Sequence, residues 1–234
     1  GEDGIALERV EGALKAGQHG VTANKALLAV HGTRLAQAAD TTGVHVGFEA
    51  AVAGGIPIIK GLREGLAGNR ITRLYGILNG TSNYIMTAMR DDGSPFDEVL
   101  AEAQRLGYAE ADPALDIGGG DAAHKLAILA SLAFGRPVDF DNVHVEGIQA
   151  ITPMDIEFAR EFGFCVKLLG IAQVSEHGVE QRVHPCMIPQ TGPIAPVDGV
   201  FNAVVVEGDA VDVATFIGRG AGAGPTASAV VADI

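Results

Sequence analysis

Cysteine is scarce in this chain. Cys165 and Cys186 are its only two in 234 residues. They provide no disulfide framework and lack the spacing of a metal-binding pair, a usage that fits a reducing cytoplasm. Positive charge is short as well: 16 Lys and Arg stand against 29 Asp and Glu, a net charge of −13. That balance argues against nucleic acid or an anionic membrane as partner. No apolar run reaches the roughly 18 residues of a membrane helix, and no basic stretch with an apolar core opens the chain as a secretion signal would. Internal repeats and low-complexity segments are missing too, although the glycine-rich residues 218–224 come close. Acidity alone names no substrate.

The remainder is globular in composition, with 47% hydrophobic residues, and long enough for one large domain or two small ones that bury roughly 70% of the unfolded surface. Leu7, Val10, Leu14 and Ala16 share a helical face, and Gly17 stands where a helix ends. A short strand follows at 19–22. Ala23-Asn24-Lys25 then leads into helix at 26–30, which resumes over 34–39 and stops at Gly43. This is the back half of an α/β unit. The front half of a dinucleotide fold, a strand and helix joined by G-x-G-x-x-G, does not precede it, so we read the chain as a piece of a longer one, and expect no regulatory extension after Ile234.

The densest chemistry lies in Gly107-Tyr108-Ala109-Glu110-Ala111-Asp112-Pro113 and the residues after it. Glu110, Asp112, Asp116 and Asp121 precede a single lysine, Lys125, with Gly118 to Gly120 between. The apolar run 126–134 and Gly135-Arg136-Pro137 read as a helix and its stop. Asp121 stands at the expected N-cap, which puts Lys125 one turn on, on the same face. A cation near a helix start opposes the dipole, so folding alone does not ask for it. Four carboxylates favour its charge and burial opposes it, a balance suited to proton transfer. A capped acidic turn with a solvated lysine accounts for the same residues.

Other stretches carry weaker signals. Lys25 sits where a strand hands over to a helix, and a solvated charge explains it equally well. Strand 44–48 runs into Glu49, followed by Val52, Gly54 and Ile56; a carboxylate with converging carbonyls suits a hard monovalent cation. A tight turn with Pro57 at the first position of a helix to Leu66 is the alternative. Strand 71–78 ends in Asn79-Gly80-Thr81, which offers a helix N-terminus to a ligand or forms an ordinary capped turn. A helix from Pro95 to Leu106 delivers the chain to the acidic segment. Beyond Pro137, strands are expected at 143–148, 165–174, 179–187 and 201–206, with a helix at 154–162 capped by Thr152-Pro153. Such apolar strands can form one sheet and dimerise through a face. Gly222 lies in a glycine-rich loop before a last helix, 227–234, by itself weak evidence for phosphate binding.

Taken together, these motifs resemble those of homoserine dehydrogenases. Gly107 to Lys125 matches the family's G-Y-x-E-x-D-P-x-x-D-x-x-G-x-D-A-x-x-K pattern at every fixed position. Thr22-Ala23-Asn24-Lys25, Asn79-Gly80-Thr81, Arg182-Val183-His184-Pro185 and the segment from Gly220 to Ile234 match further family motifs. Arg219 departs from the family's usual proline. The resemblance spans nearly the whole chain and implies an α/β fold, a partial Rossmann-like nucleotide-binding domain plus a mixed β-sheet catalytic and dimerisation domain flanked by helices. Residues 1–48, completed by 212–234, would be the nucleotide-binding remnant, and 49–211 the substrate-binding, catalytic and dimerisation domain.

The activity implied is reversible reduction of aspartate 4-semialdehyde to homoserine with NADP or NAD as cofactor, in threonine, methionine and isoleucine biosynthesis. Lys125 would be the general acid, assisted by Lys25. Glu110 and Asp116 would hold the substrate ammonium, and Asp121 would tether Lys125. Lys25, Asn79, Gly80 and Gly222 would face the nicotinamide. Glu49, with the main chain of Val52, Gly54 and Ile56, would hold sodium. A cytoplasmic homodimer is expected. Two other classes stay open: a non-catalytic substrate-binding and dimerisation module, and another NAD(P) oxidoreductase on the same scaffold.

Overall fold

The computed structural model describes residues 3–234; Gly1 and Glu2, which open the 1–48 segment, lie outside the described residues. The chain starts with α1 (Ile5–Lys15), β1 (Gly20–Val21), α2 (Lys25–Thr42) and β2 (Val46–Gly47). β1 and β2 form a two-stranded parallel sheet. The helix expected in two pieces is one. The segment that follows the helix ending at Phe134 overrides the local break at His31-Gly32: Val138 lies against Gly32, and its N–H donates to Thr33 Oγ1 at 3.0 Å.

A 3₁₀ turn (Glu49–Ala51) leads to α3 (Ile58–Lys60), which continues as a π-helical turn (Gly61–Gly65). Pro57 caps α3 instead of occupying its first position. The expected α-helix to Leu66 widens because the Leu66 N–H reaches back five residues, to the Gly61 carbonyl, at 2.8 Å. Next come β3 (Ile71–Ile77), α4 (Gly80–Asp92), α5 (Phe96–Arg105), α6 (Ala114–Ile117) and α7 (Gly120–Phe134). The strand expected at 143–148 shrinks to β4 (His144–Val145), because the Ile148 N–H leaves the sheet for the Ile117 carbonyl at 2.9 Å. α8 (Pro153–Glu161) starts with a complete capping box between Thr152 and Asp155. It is followed by β5 (Phe164–Ser175), β6 (Gly178–Pro189), β7 (Phe201–Gly208), β8 (Asp212–Arg219) and α9 (Ala223–Asp233).

The main sheet has six strands in the order β4-β6-β5-β3-β7-β8, antiparallel except for the parallel β4–β6 pair. Sequence reading missed β8 and gave its residues to the nucleotide-binding remnant. They form the sheet's edge instead, and α9 returns to the 3₁₀ turn after β2. Alternate exposed and half-buried positions along β8 gave its sequence too little apolar weight to read as a strand.

Helices α4, α7 and α8 lie against β5, and Leu126 and Leu129 of α7 join Leu74, Leu168, Val204 and Val206 in one core. Ile77, Leu169, Ile171, Ala203 and Val205 form a second apolar layer on the other face, covered by Ile194 and Val197 of the loop before β7. Apolar contact on both faces explains the near-continuous Val and Ala of β7. β3 ends and β7 begins at the same edge, with Ile77 opposite Ala203. The chemistry collects at that edge.

Candidate active site

Three helix starts and one strand end converge on a buried carboxylate. β3 ends at Ile77, and the next two residues, Leu78 and Asn79, carry the chain into α4. Asn79 caps α4: its Oδ1 accepts the Ser82 N–H at 2.7 Å. Asn24 caps α2 in the same way, accepting the Leu27 N–H at 3.1 Å, which places Lys25 at the first helical position. Asp121 and Lys125 lie one turn apart on α7.

The N-cap of α7 is Gly119, not Asp121. Gly119 takes φ +86°, which lets the chain turn into the helix two residues earlier than expected. Asp121 is then free to pair rather than cap. Its Oδ2 accepts from Lys125 Nζ at 2.7 Å and from Asn79 Nδ2 at 2.8 Å, and its Oδ1 lies 3.0 Å from Lys25 Nζ. Lys125 Nζ also donates to the Leu78 carbonyl at 2.8 Å. Asp121 and Lys125 are 4% and 8% exposed.

Burial pushes the Asp121 carboxyl upward, but the charges of Lys125 and Lys25, with hydrogen bonds from Lys125 and Asn79, outweigh it and hold the group well below the ordinary carboxylate range. Asp116 goes the other way. Burial raises it, and the neighbouring Asp121 charge adds to that, against a hydrogen bond from Asn79 Nδ2 at 2.8 Å. One amide thus binds two carboxylates of opposite tendency.

These groups line a cavity of about 540 Å³. Lys25, Lys125, Asp121, Asp116, Glu110, Asn79, Gly80, Gly54 and Gly222 all border it. Glu110 is exposed, and its loop is fastened to α4 by Thr81 Oγ1 donating to the Tyr108 carbonyl at 2.7 Å. The Asn79 side chain, expected at the cofactor, is committed to Asp116, Asp121 and the α4 cap. Sequence reading missed Leu78, Val200, Asn202, Gly220 and Thr226. A carbonyl leaves no sequence signature, but a lone asparagine in Phe201-Asn202-Ala203-Val204-Val205-Val206 was a readable signal.

Glu49, Val52 and Ile56 do not border the cavity. Glu49 is 2% exposed, and its two oxygens accept the Ile59 and Lys60 N–H groups at 2.8 and 2.9 Å. Burial raises its carboxyl despite those bonds, and Asp233 adds to the rise. Asp233 Oδ2 accepts the Glu49 N–H at 2.7 Å, and its Oδ1 lies 3.4 Å from Lys60 Nζ. Among the described residues no group of three or more His, Cys, Asp or Glu is placed to hold a metal.

Fold and cavity define an α/β chain with a buried carboxylate bridged to two lysines where β3 ends and β7 begins. The family model for homoserine dehydrogenase matches residues 57–234, and the chain belongs to that family. It is 56% identical to a homoserine dehydrogenase of Pseudomonas aeruginosa over 98% of its own length and 53% of the relative's. Its structure matches the crystal structure of a homoserine dehydrogenase from Thiobacillus denitrificans with a TM-score of 0.98 and 58% identity, covering all of this chain and 54% of that one. A hyperthermophilic archaeal homoserine dehydrogenase in complex with NADPH matches with a TM-score of 0.86 and 30% identity, over 97% of this chain and 66% of that one. The chain spans about half the length of the curated relatives it matches.

The Asp121 ion pairs give a signed pH dependence. Its carboxyl titrates lower folded than its unfolded value of about 3.9, so its contribution is complete above that pH and is lost as pH falls below it. The urea midpoint should therefore drop more steeply below about pH 4 in the parent than in Asp121→Asn. Asp116, of opposite sign, is present in both proteins. Parallel curves would remove Asp121 as the acid-sensitive group.

Proposed function

We propose that this chain is the substrate-handling part of an enzyme that reversibly reduces aspartate 4-semialdehyde to homoserine. The observation that carries the reading is the bridge from Asp121 to two lysines in a cavity that also presents Glu110 and Asp116. An ammonium has three donors. Lys125 directs one to Asp121 and one to the Leu78 carbonyl, which leaves one for the aldehyde oxygen as it gains a proton. Lys25, half-exposed on the opposite side of Asp121, adds positive charge where the oxyanion develops. Glu110 and Asp116 hold the substrate ammonium.

The relative bound to NADPH supports NADPH or NADH as the hydride donor, and it is the dinucleotide that supplies the hydride. Ala50, Ala51, Ala53, Gly54, Gly220, Ala221 and Gly222 give the cavity an uncharged side fit for a flat ring. Gly80 starts α4 so close to the Val200 carbonyl that a Cβ would stand 2.7 Å from it; Lys25, Asn79, Gly80 and Gly222 are the contacts we assign toward the ring. Two free thiols fit a reducing cytoplasm. No helix of the described residues is long and apolar enough to cross a membrane. The sheet face bare of helices, with β8 exposing Val213 and Ile217, is where a second copy would pair.

A sodium-type ion is carried by a separate observation. Ala53 and Gly54 both take positive φ, 54° and 37°, which folds the turn back on itself beside the buried Glu49. A carboxylate and carbonyls have lone pairs beyond the hydrogen bonds they already accept, so Glu49 and the main chain of Val52, Gly54 and Ile56 suit a hard monovalent ion.

Replacing Lys125 with Met should lower turnover about 10²- to 10⁴-fold in the native-length protein, with NADPH affinity retained by calorimetry. Near-parental turnover would sink the assignment. The same preparations should sediment at dimer mass; a monomer would remove the pairing. For the cation, the melting temperature should be higher in sodium than in tetramethylammonium at equal ionic strength, and Glu49→Gln should erase the difference. Equal melting of the parent in both salts would return the turn to a structural role.

A further inference from the structure

Asn202 is 1% exposed on β7 and borders the cavity, and its side-chain Nδ2 has no hydrogen-bond partner among the described residues. A buried amide N–H without a partner is costly, so the site itself asks for an acceptor there. Space has been made for this amide, since a Cβ on Gly220 would overlap the Asn202 carboxamide. Arg73 and Gln181 also carry a buried polar atom without a partner, but neither borders this cavity.

The surroundings select the acceptor. Asn202 pairs with Gly218 in the β7–β8 ladder, beside Gly220 and Ala221 on the uncharged side of the cavity. The carboxylates and the two lysines collect around Asp121. A substrate carboxylate placed against a lone neutral amide would lose hydration without a counter-ion, whereas a neutral carbonyl matches it. Arg219 also borders the cavity, but its guanidinium lies over the Phe201 ring, 5.3 Å from the centroid, and has no ion pair with a carboxylate among the described residues.

We propose that Asn202 is a cofactor-binding residue whose Nδ2–H donates to the carboxamide oxygen of the nicotinamide, with Gly220 providing its space. The proposal rests on the dinucleotide reading above. The bond fixes the rotation of the carboxamide, and with it the seating of the ring, without touching the reacting carbon.

The test is calorimetric binding to the native-length protein of NADP⁺ and two analogues, one with a thioamide and one with an acetyl group in place of the carboxamide. Sulfur is a weak acceptor, whereas the acetyl group keeps the oxygen and drops the amine. The parent should bind the thioamide analogue about 3- to 10-fold more weakly than NADP⁺ and the acetyl analogue about equally. In Asn202→Ala the thioamide penalty should vanish. Equal binding of the oxygen and sulfur compounds by the parent would overturn the proposal without any variant. A penalty that survives in Asn202→Ala would overturn it as well. So would an Asn202→Ala variant that loses homoserine affinity and keeps the thioamide penalty, since that points to the substrate carboxylate. Absence of all dinucleotide binding would overturn the dinucleotide reading itself, and this proposal with it.

Discussion

A buried carboxylate that must satisfy two ammonium groups organises this molecule. Asp121 does not sit within α7, one turn before Lys125, unless the helix starts ahead of it, at Gly120, and it cannot reach Lys25 unless α2 starts beside it. Each helix start is fixed by local chemistry: the left-handed Gly119 for α7 and the Asn24 cap for α2. Asn79 ties the third, capping α4 while donating to Asp121 and Asp116. Separating any one of these would leave a charge buried without its partner, which typically costs about 3–5 kcal/mol. The sheet edge is therefore held in register by the site as much as the site is held by the sheet.

A second buried cation shows the same logic applied to structure alone. Lys167 is 2% exposed in the middle of β5, and its Nζ donates to Asn83 Oδ1, the Val197 carbonyl and Asp198 Oδ1 at 3.1, 2.7 and 2.8 Å. Asn83 Nδ2 donates onward to the Val197, Gly199 and Phe201 carbonyls. Arg90 closes the group with paired bonds to Asp198 at 2.9 and 3.0 Å. This network fastens the loop before β7, and so sets where Val200 and Asn202 meet the cavity. Lys167 has all its donors occupied by the protein; Lys125 has one left over. That difference separates a lysine saturated by the fold from the one proposed to face the substrate.

Much of this was legible in the residues. Lys125 carries a charge that local folding does not require, and its spacing from Asp121 already put the two on one helix face. The helices starting at Gly80, Phe96 and Pro153 announce themselves by caps or by proline. What stayed hidden was held in tertiary contacts. Asp121 gave up capping because two lysines outbid a backbone N–H. α2 ran through Gly32 because Val138 packs there. β8 is an edge strand with little apolar weight, so only its ladder with β7 reveals it. Nor did the residues show that the Asn79 side-chain amide binds two carboxylates at once.

The geometry makes Asp121 and Lys125 energetically one unit. A double-mutant cycle measures that most directly: urea unfolding near neutral pH of the parent, Asp121→Asn, Lys125→Met and the double variant. Residues in direct contact couple by about 0.5–3 kcal/mol, and burial at 2.7 Å puts this pair in the upper part of that range. The two single costs should sum to well above the cost of the double variant. Costs that add to within about 0.3 kcal/mol would mean that the two groups act independently, and would contradict the account.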